Sequence, residues 1–488
     1  MSTDIRNLEP KALWKHFHSL TQIPRPSGKK EAIGNFLLDF GKSLGLESLR
    51  DETGNVLIRK PATPGMEQRK AVILQAHMDM VPQKNSHIEH DFEKDPIQAY
   101  VDGEWVTARD TTLGADNGIG VAAAMAILES KEIAHPDLEM FITVDEETGM
   151  DGAFGLQAGF LKGDILMNLD SEDEGELYIG CAGGLDANIE FRYTEEEKIP
   201  EGDIVLKVSL KGLKGGHSGI DIILQRANAN KLLFRFLKQA VIAYEARLAK
   251  VEGGNLRNAI PREASAILSI PKEIYEEFVE FTEEMEDLFI EEYSSVEDKL
   301  SLSVEPCSWE GGLIPEEIQD DLINSVIACP DGVYRMIPDV PGVVETSNNL
   351  AVVQSGEKNI VIRCLLRSSV DSRKEELASA IESLFTMAGA RVGFTGGYPG
   401  WEPKLDSPIL RCMKEVYQRK FGIEPKVMII HAGLECGILG THYPHMDMIS
   451  FGPTIRHPHS PDEKVNIATV AKFWDYLLES LKEIPLKD

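Results

Sequence analysis

His77 and Asp79 follow the run Ala71-Val72-Ile73-Leu74-Gln75-Ala76, an apolar stretch without strict alternation. Such a run reads as a strand buried on both faces, as in parallel sheets. Open α/β sheets bind ligands outside the carboxyl ends of their strands. His77 and Asp79, two residues apart, point to one side of an extended segment. An imidazole there can offer one ring nitrogen to a metal while a nearby carboxylate takes the other N–H and fixes the tautomer. A core histidine beside an acid explains this stretch alone slightly better.

Four later stretches shift the balance. Gly114-Ala115-Asp116-Asn117-Gly118-Ile119-Gly120 opens a helix expected over 121–129. Its glycines allow close backbone approach around a carboxylate that two metals could share; an Asp or Asn cap at a helix start explains the same residues. The apolar run Leu138–Val144 ends in Asp145-Glu146-Glu147-Thr148-Gly149. Three successive acids after a buried strand repel one another unless a cation absorbs the charge. Neighbours point in different directions, so one acid can ligate while the next faces a bound water. Ile165–Leu169 repeats the plan and ends in Asp170, and His457 and His459 lie on a proline-stiffened loop, Arg456-His457-Pro458-His459-Ser460-Pro461. Imidazoles and carboxylates together suit two divalent ions, zinc first, with cobalt or manganese also fitting.

The elements that must position these groups are legible in outline. Residues 1–50 read as helical, and 56–59 as a short strand. Residues 187–191 and 204–210 alternate as half-exposed strands, 264–270 and 361–366 add two more, and helices are expected over 228–249 and 272–291. The fold class is therefore α/β: a split catalytic domain with a mainly parallel sheet flanked by helices, plus an inserted α+β lid domain. Breaker-rich stretches at Gly180–Gly184 and Gly396–Gly400 divide the chain into 1–183, the lid 184–398, and 399–488.

Composition narrows the partners. With 488 residues the chain exceeds one ordinary core. It carries 50 basic and 80 acidic residues, a net charge of −30, which disfavours nucleic acid and anionic membrane surfaces. No apolar run approaches the roughly 18–20 residues of a membrane span. Six scattered cysteines, and a first hexapeptide without a basic-then-apolar plan, lead to the expectation of reduced thiols and a cytoplasmic location.

The ordered set His77-Met78-Asp79, Gly114–Gly118, Asp145–Gly149, Asn168-Leu169-Asp170 and Pro458-His459-Ser460-Pro461 resembles the M20 family of dinuclear metallopeptidases. The resemblance implies that His77 and Asp170 bind one metal, Glu147 and His459 the other, and that Asp116 bridges both. It makes Glu146 the general base and Asp79 the residue that orients His77. Gly215-Gly216-His217-Ser218-Gly219 and Asn258-Ala259-Ile260-Pro261 are similar to the family's lid motifs. Arg367 lies where the family carries an arginine for the substrate carboxylate. Chemically, His217 or Asn258 can donate to an oxyanion, and Arg367 can pair with a carboxylate; a surface His, a turn Asn and a solvated Arg are the plain alternatives. His431–Glu435 is a candidate pocket for the substrate amine, and an ordinary loop acid explains Glu435 as well. The resemblance further implies hydrolysis of unblocked dipeptides, Xaa-His included, by a protein for which a homodimer is compatible. An amidohydrolase of N-acyl amino acids, an aminopeptidase acting on longer peptides, and an inactive metal-binding protein remain open.

Overall fold

The computed structural model describes residues 4–487, and the chain falls into two compact units. The first holds the described residues up to 180 with 401–429 and 434–487; the second holds 181–400 and 430–433. Residues 430–433 thus group with the second unit rather than with the stretch after 398, because His431 is tied there by Ser347, Oγ to Nε2 at 2.7 Å.

In the first unit an eight-stranded sheet runs in the order 47–50, 56–60, 138–143, 72–77, 165–168, 447–450, 176–181, 426–430. Its centre is parallel: Val72–His77 lies between Leu138–Thr143 and Ile165–Asn168, and Asp447–Ser450 continues the parallel set. Every residue of the first three of these strands is buried, as sheets covered on both faces require. The flanking pairs are antiparallel. All three parallel strands from the N-terminal half end on the same edge, so the groups that follow them collect there. Residues 1–50, expected to be helical, hold helices Lys11–Thr21 and Glu31–Ser43 and then the strand Glu47–Arg50. That segment pairs with Val56–Arg59, and sheet pairing overrides its local preference.

The helix Ala115–Glu129 begins earlier than the expected residue 121, with non-helical backbone at Asp116 and Asn117. From Asn117 to Leu128 every side is buried, the signature of a helix inside a core. A four-stranded sheet, Ile455–Arg456, Lys464–Asn466, Trp105–Ala108 and Ala99–Asp102, carries the loop 457–463. No described helix is long and apolar enough to cross a membrane.

The second unit is built on a nine-stranded sheet whose strand pairings are all antiparallel. Helices Ala229–Tyr244, Tyr275–Tyr293, Glu316–Ala328 and Asp371–Met387 pack into one apolar core with it. The helix expected to reach Ala249 ends at Tyr244, where Glu245 turns left-handed. Arg247–Gly253 then pairs with residues 264–269 as a strand. The strand Val344–Ser355 reads as a loop in sequence, because Glu345-Thr346-Ser347-Asn348-Asn349 is polar. All five are nevertheless buried, and each side chain has a partner: Arg335, Ser368, His431, the Pro330 carbonyl, and the Arg257 and Ala259 carbonyls respectively. Buried polar groups persist when they are paired in this way.

Candidate metal centre

At the carboxyl edge of the parallel strands, His77 ends its strand with its ring fully buried. Nε2 lies 3.0 Å from Asp116 Oδ1 and 3.4 Å from Asp170 Oδ1. The other oxygen of Asp116, Oδ2, lies 3.3 Å from His459 Nε2, and that nitrogen is 2.9 Å from Glu147 Oε2. The two oxygens of Asp116 therefore face two different imidazoles, the disposition a bridging carboxylate needs. His77, Asp116 and Asp170 form one group of potential ligands and Asp116, Glu147 and His459 another, each with its atoms within 4.8 Å of one another. His459, with backbone φ of 59°, is the loop histidine that meets the acids; no such contact joins His457 to them among the described residues.

These spacings suit a metal. Ligands about 2.0–2.2 Å from a tetrahedral ion stand about 3.3–3.6 Å apart, close to the 2.9–3.4 Å seen here. Glu147 Oε1 and Asp170 Oδ1 are buried with no hydrogen-bond partner in the chain, and buried acceptors without donors are rare unless something else satisfies them. The charges argue likewise. Burial, with Asp116 and Glu147 adjacent, pushes Asp170 up to about 6. Burial also drives Glu146 well above the usual carboxyl range, Asp170, Glu435 and Glu147 adding to it and His77 opposing. Hydrogen bonds donated to the Asp116 and Glu147 carboxylates push the half-exposed His459 up to about 11. His77 is raised as well: burial pulls it down, but Asp170, Asp116 and Asp79 outweigh that. A chain that must borrow protons to keep these acids together is short of cations.

Asp79 works on two sides. Its Oδ1 lies 3.4 Å from His77 Nδ1, and its carboxylate accepts from Ser27 Oγ at 2.7 Å and from the Glu146 and Glu147 amides at 3.1 and 3.3 Å. It so orients the ring and the turn bearing both glutamates. Glu435, expected at a substrate amine, is 1% exposed, and its Oε2 accepts from Gln75 Nε2 at 2.6 Å and Thr143 Oγ1 at 2.7 Å. Its carboxylate is among the acids that raise Glu146.

Within the second unit, residues 216–217 pair with 259–260, which brings the His217 and Asn258 motifs together. His217 Nδ1 accepts from the amides of Gly219 and Ile220, both at 3.1 Å, so the ring proton sits on Nε2. Arg367, 5% exposed, donates from Nη1 to Tyr398 at 3.0 Å and from Nε to Ser218 Oγ at 3.4 Å. His431, pushed down to about 3 by burial and then by Arg367 and His217, is neutral beside them. Asn258 is exposed. Sequence reasoning missed Ser347 and Tyr398 as members of this cluster, since strand register brings them in; His431, singled out in the stretch 431–435, joins them through Ser347.

The model of peptidase family M20/M25/M40 matches residues 73–483. The cytosol non-specific dipeptidase of Escherichia coli (strain K12) is 47% identical over 485 residues, 99% of this chain and 100% of that protein. The crystal structure of aminoacylhistidine dipeptidase from Vibrio alginolyticus is 48% identical, with TM-score 0.94 over 100% of this chain and 99% of its own. An aminopeptidase structure from Bacillus cereus ATCC 10987, 16% identical, has the same fold, with TM-score 0.57 over 98% and 99% of the two chains.

Proposed function

Because the chain belongs to peptidase family M20/M25/M40, we propose that it is a dinuclear metal-dependent dipeptidase acting on unblocked dipeptides, Xaa-His among them. The observation that supports this most is Asp116, with one oxygen toward His77 and the other toward His459. His77 and Asp170 would hold one ion, Glu147 and His459 the other, with Asp116 shared; zinc suits this set of nitrogen and oxygen donors. When bound, such a pair of ions acidifies water and polarises a carbonyl.

The chain's own residues do the rest. Glu146, which lies with Glu147 and His77 in one group of possible ligand atoms, takes a proton from the attacking water and passes it to the leaving amine. Its burial among acids raises its proton affinity, as a base working near neutral pH needs. Asp79 keeps the His77 ring and the Glu146 backbone in place. His217 donates from Nε2 to the developing oxyanion, since Nδ1 is occupied by two amides. Asn258 is a second polar group for the substrate, and Arg367 takes the terminal carboxylate. The cytosol in the relative's name, with six cysteines scattered through the sequence, supports a cytoplasmic location.

The reading is tested with a substrate panel. Unblocked dipeptides, β-alanyl-histidine included, should be cleaved, with tripeptides slow and N-acetylated amino acids untouched. Equal rates on di-, tri- and tetrapeptides, or preference for N-acyl substrates, would contradict it.

A further inference from the structure

We propose that Arg25 and Glu463 are paired positioning residues that set the three loops carrying His77, Asp116 and His459 in register before any metal arrives. The proposal rests on the metal-centre reading above. Glu463 is 2% exposed. Its Oε2 accepts from the amides of Leu113 and Gly114 at 2.7 and 2.9 Å, and its Oε1 from those of Ala115 and Asp116 at 2.7 and 3.2 Å. Four successive backbone donors thus converge on one carboxylate, and the last belongs to Asp116. Glu463 lies four residues after His459, and its amide is bonded to the Ser460 carbonyl at 3.0 Å. Its own carbonyl accepts from Thr107 Oγ1 at 2.8 Å.

Arg25, 3% exposed, mirrors this with donors. Nη1 reaches the carbonyls of Met78 and Asp79, both at 3.1 Å, and Nη2 reaches that of Gly114 at 2.5 Å. It ties the loop after His77 to the loop before Asp116; Glu463 ties the loop before Asp116 to the loop after His459. Gly114 is the junction, its N–H on Glu463 and its C=O on Arg25. It has φ of 71°, and a Cβ there would stand 2.5 Å from Arg25 Nη2 and 2.9 Å from Met80 Sδ, so only glycine lets the guanidinium lie this close. Neither side chain reaches solvent, so neither can touch a substrate. Both Glu463 oxygens and both Arg25 Nη atoms end on backbone groups, which makes the two side chains fixed struts and not exchangeable ion pairs.

A purely structural role for a buried acid is the competing account, and Glu139 supplies the control. It is 4% exposed, accepts from the Lys162 and Gly163 amides at 2.8 and 3.0 Å and from Arg59 Nε at 2.7 Å, and lies near the other end of the same sheet. Zn2+ affinity of the full chain, stripped with a chelator, is measured by competition against a chromophoric chelator for wild type, Glu463→Gln, Arg25→Lys and Glu139→Gln. Melting temperature and hydrogen exchange of the metal-free proteins accompany it. Gln at 463 must turn an amide N–H2 toward two backbone N–H groups, and Lys at 25 keeps the charge but loses the fork. Glu463→Gln and Arg25→Lys should weaken Zn2+ binding about 10- to 100-fold, the range for groups that orient ligands. Glu139→Gln should leave affinity unchanged even where it lowers the melting temperature as much. In metal-free Glu463→Gln the segment 113–116 should exchange fast while 72–77 stays protected. Wild-type affinity in both variants, equal loss in Glu139→Gln, or unchanged protection of 113–116 overturns the proposal. Should Glu463→Gln fail to fold, Arg25→Lys decides. A wild type that binds no Zn2+ but keeps 113–116 protected through Glu463 refutes the metal-centre reading alone.

Discussion

In the first unit carboxylates gather about His77 and His459; in the second, a guanidinium, two imidazoles and hydroxyls gather, with no carboxylate hydrogen-bonded to Arg367 among the described residues. Burial shifts the two sets in opposite senses. It lifts Glu146 and Asp170 in the first and lowers His217 and His431 in the second. In both clusters burial favours the neutral form of each group, and like-charged neighbours add to it: acids around Glu146 and Asp170 in the first, Arg367 beside His217 and His431 in the second. The scaffolds differ as well. Parallel strands bring their ends to one edge and stack ligand-bearing loops there, whereas antiparallel register places Arg367 opposite Ser347. A dipeptide reaction needs both signs: cations to activate water, and a cation on the chain to take the free carboxylate.

The contrast breaks most sharply at Glu146. Glu146→Gln keeps size and polarity but cannot accept a proton, so turnover should fall roughly 100- to 10,000-fold with metal content near that of the wild type. Glu147→Ala should instead lose metal, because it removes an anion facing His459 at 2.9 Å. Metal analysis beside turnover separates the two, and the reverse pattern would mean that the adjacent acids are assigned the wrong way round. Arg367→Ala tests the second cluster. Charge-assisted hydrogen bonds contribute about 1.5–3 kcal/mol, so KM should rise about 10- to 150-fold for dipeptides with a free carboxylate, metal binding being unaffected. An equal loss on C-terminally amidated dipeptides would remove Arg367 from that role.

The smallest expected effect is on stability. His431, with a value of about 3 folded and near 6.5 unfolded, binds fewer protons in the folded state between those values. Its neutral burial is accommodated above about pH 6.5, and stability is lost as pH falls below that toward 3. His431→Asn cannot charge there, so its denaturant midpoint should decline less than that of the wild type between pH 6.5 and 4. Parallel declines would show that His431 does not titrate as its burial implies.

How much of this was legible in sequence follows from the same contrast. The first cluster announces itself because each acid or histidine interrupts or follows an apolar run, and runs buried on both faces leave few polar residues to choose among. Spacing did not separate His459 from His457; the contacts of His459 with Asp116 and Glu147 do. Glu463 was invisible as a partner because its ligands are backbone amides, which no sequence motif records. The second cluster was legible through the His217, Asn258, Arg367 and His431 stretches. Its supports, Ser347 and Asn349, sit in a polar stretch that looks like a loop until partners from distant segments satisfy it. The depth of Glu435 was not legible either: an acid near a histidine and a glycine looks accessible, and the residue is 1% exposed.

The central claim is that two divalent ions at this cluster activate water for dipeptide cleavage. It is tested most directly by stripping the protein with a chelator and titrating Zn2+ back while following hydrolysis of an unblocked dipeptide. The account predicts that the stripped protein is inactive and that activity returns to a plateau at two equivalents per chain. Full activity after chelation, or a plateau at one equivalent, would contradict it.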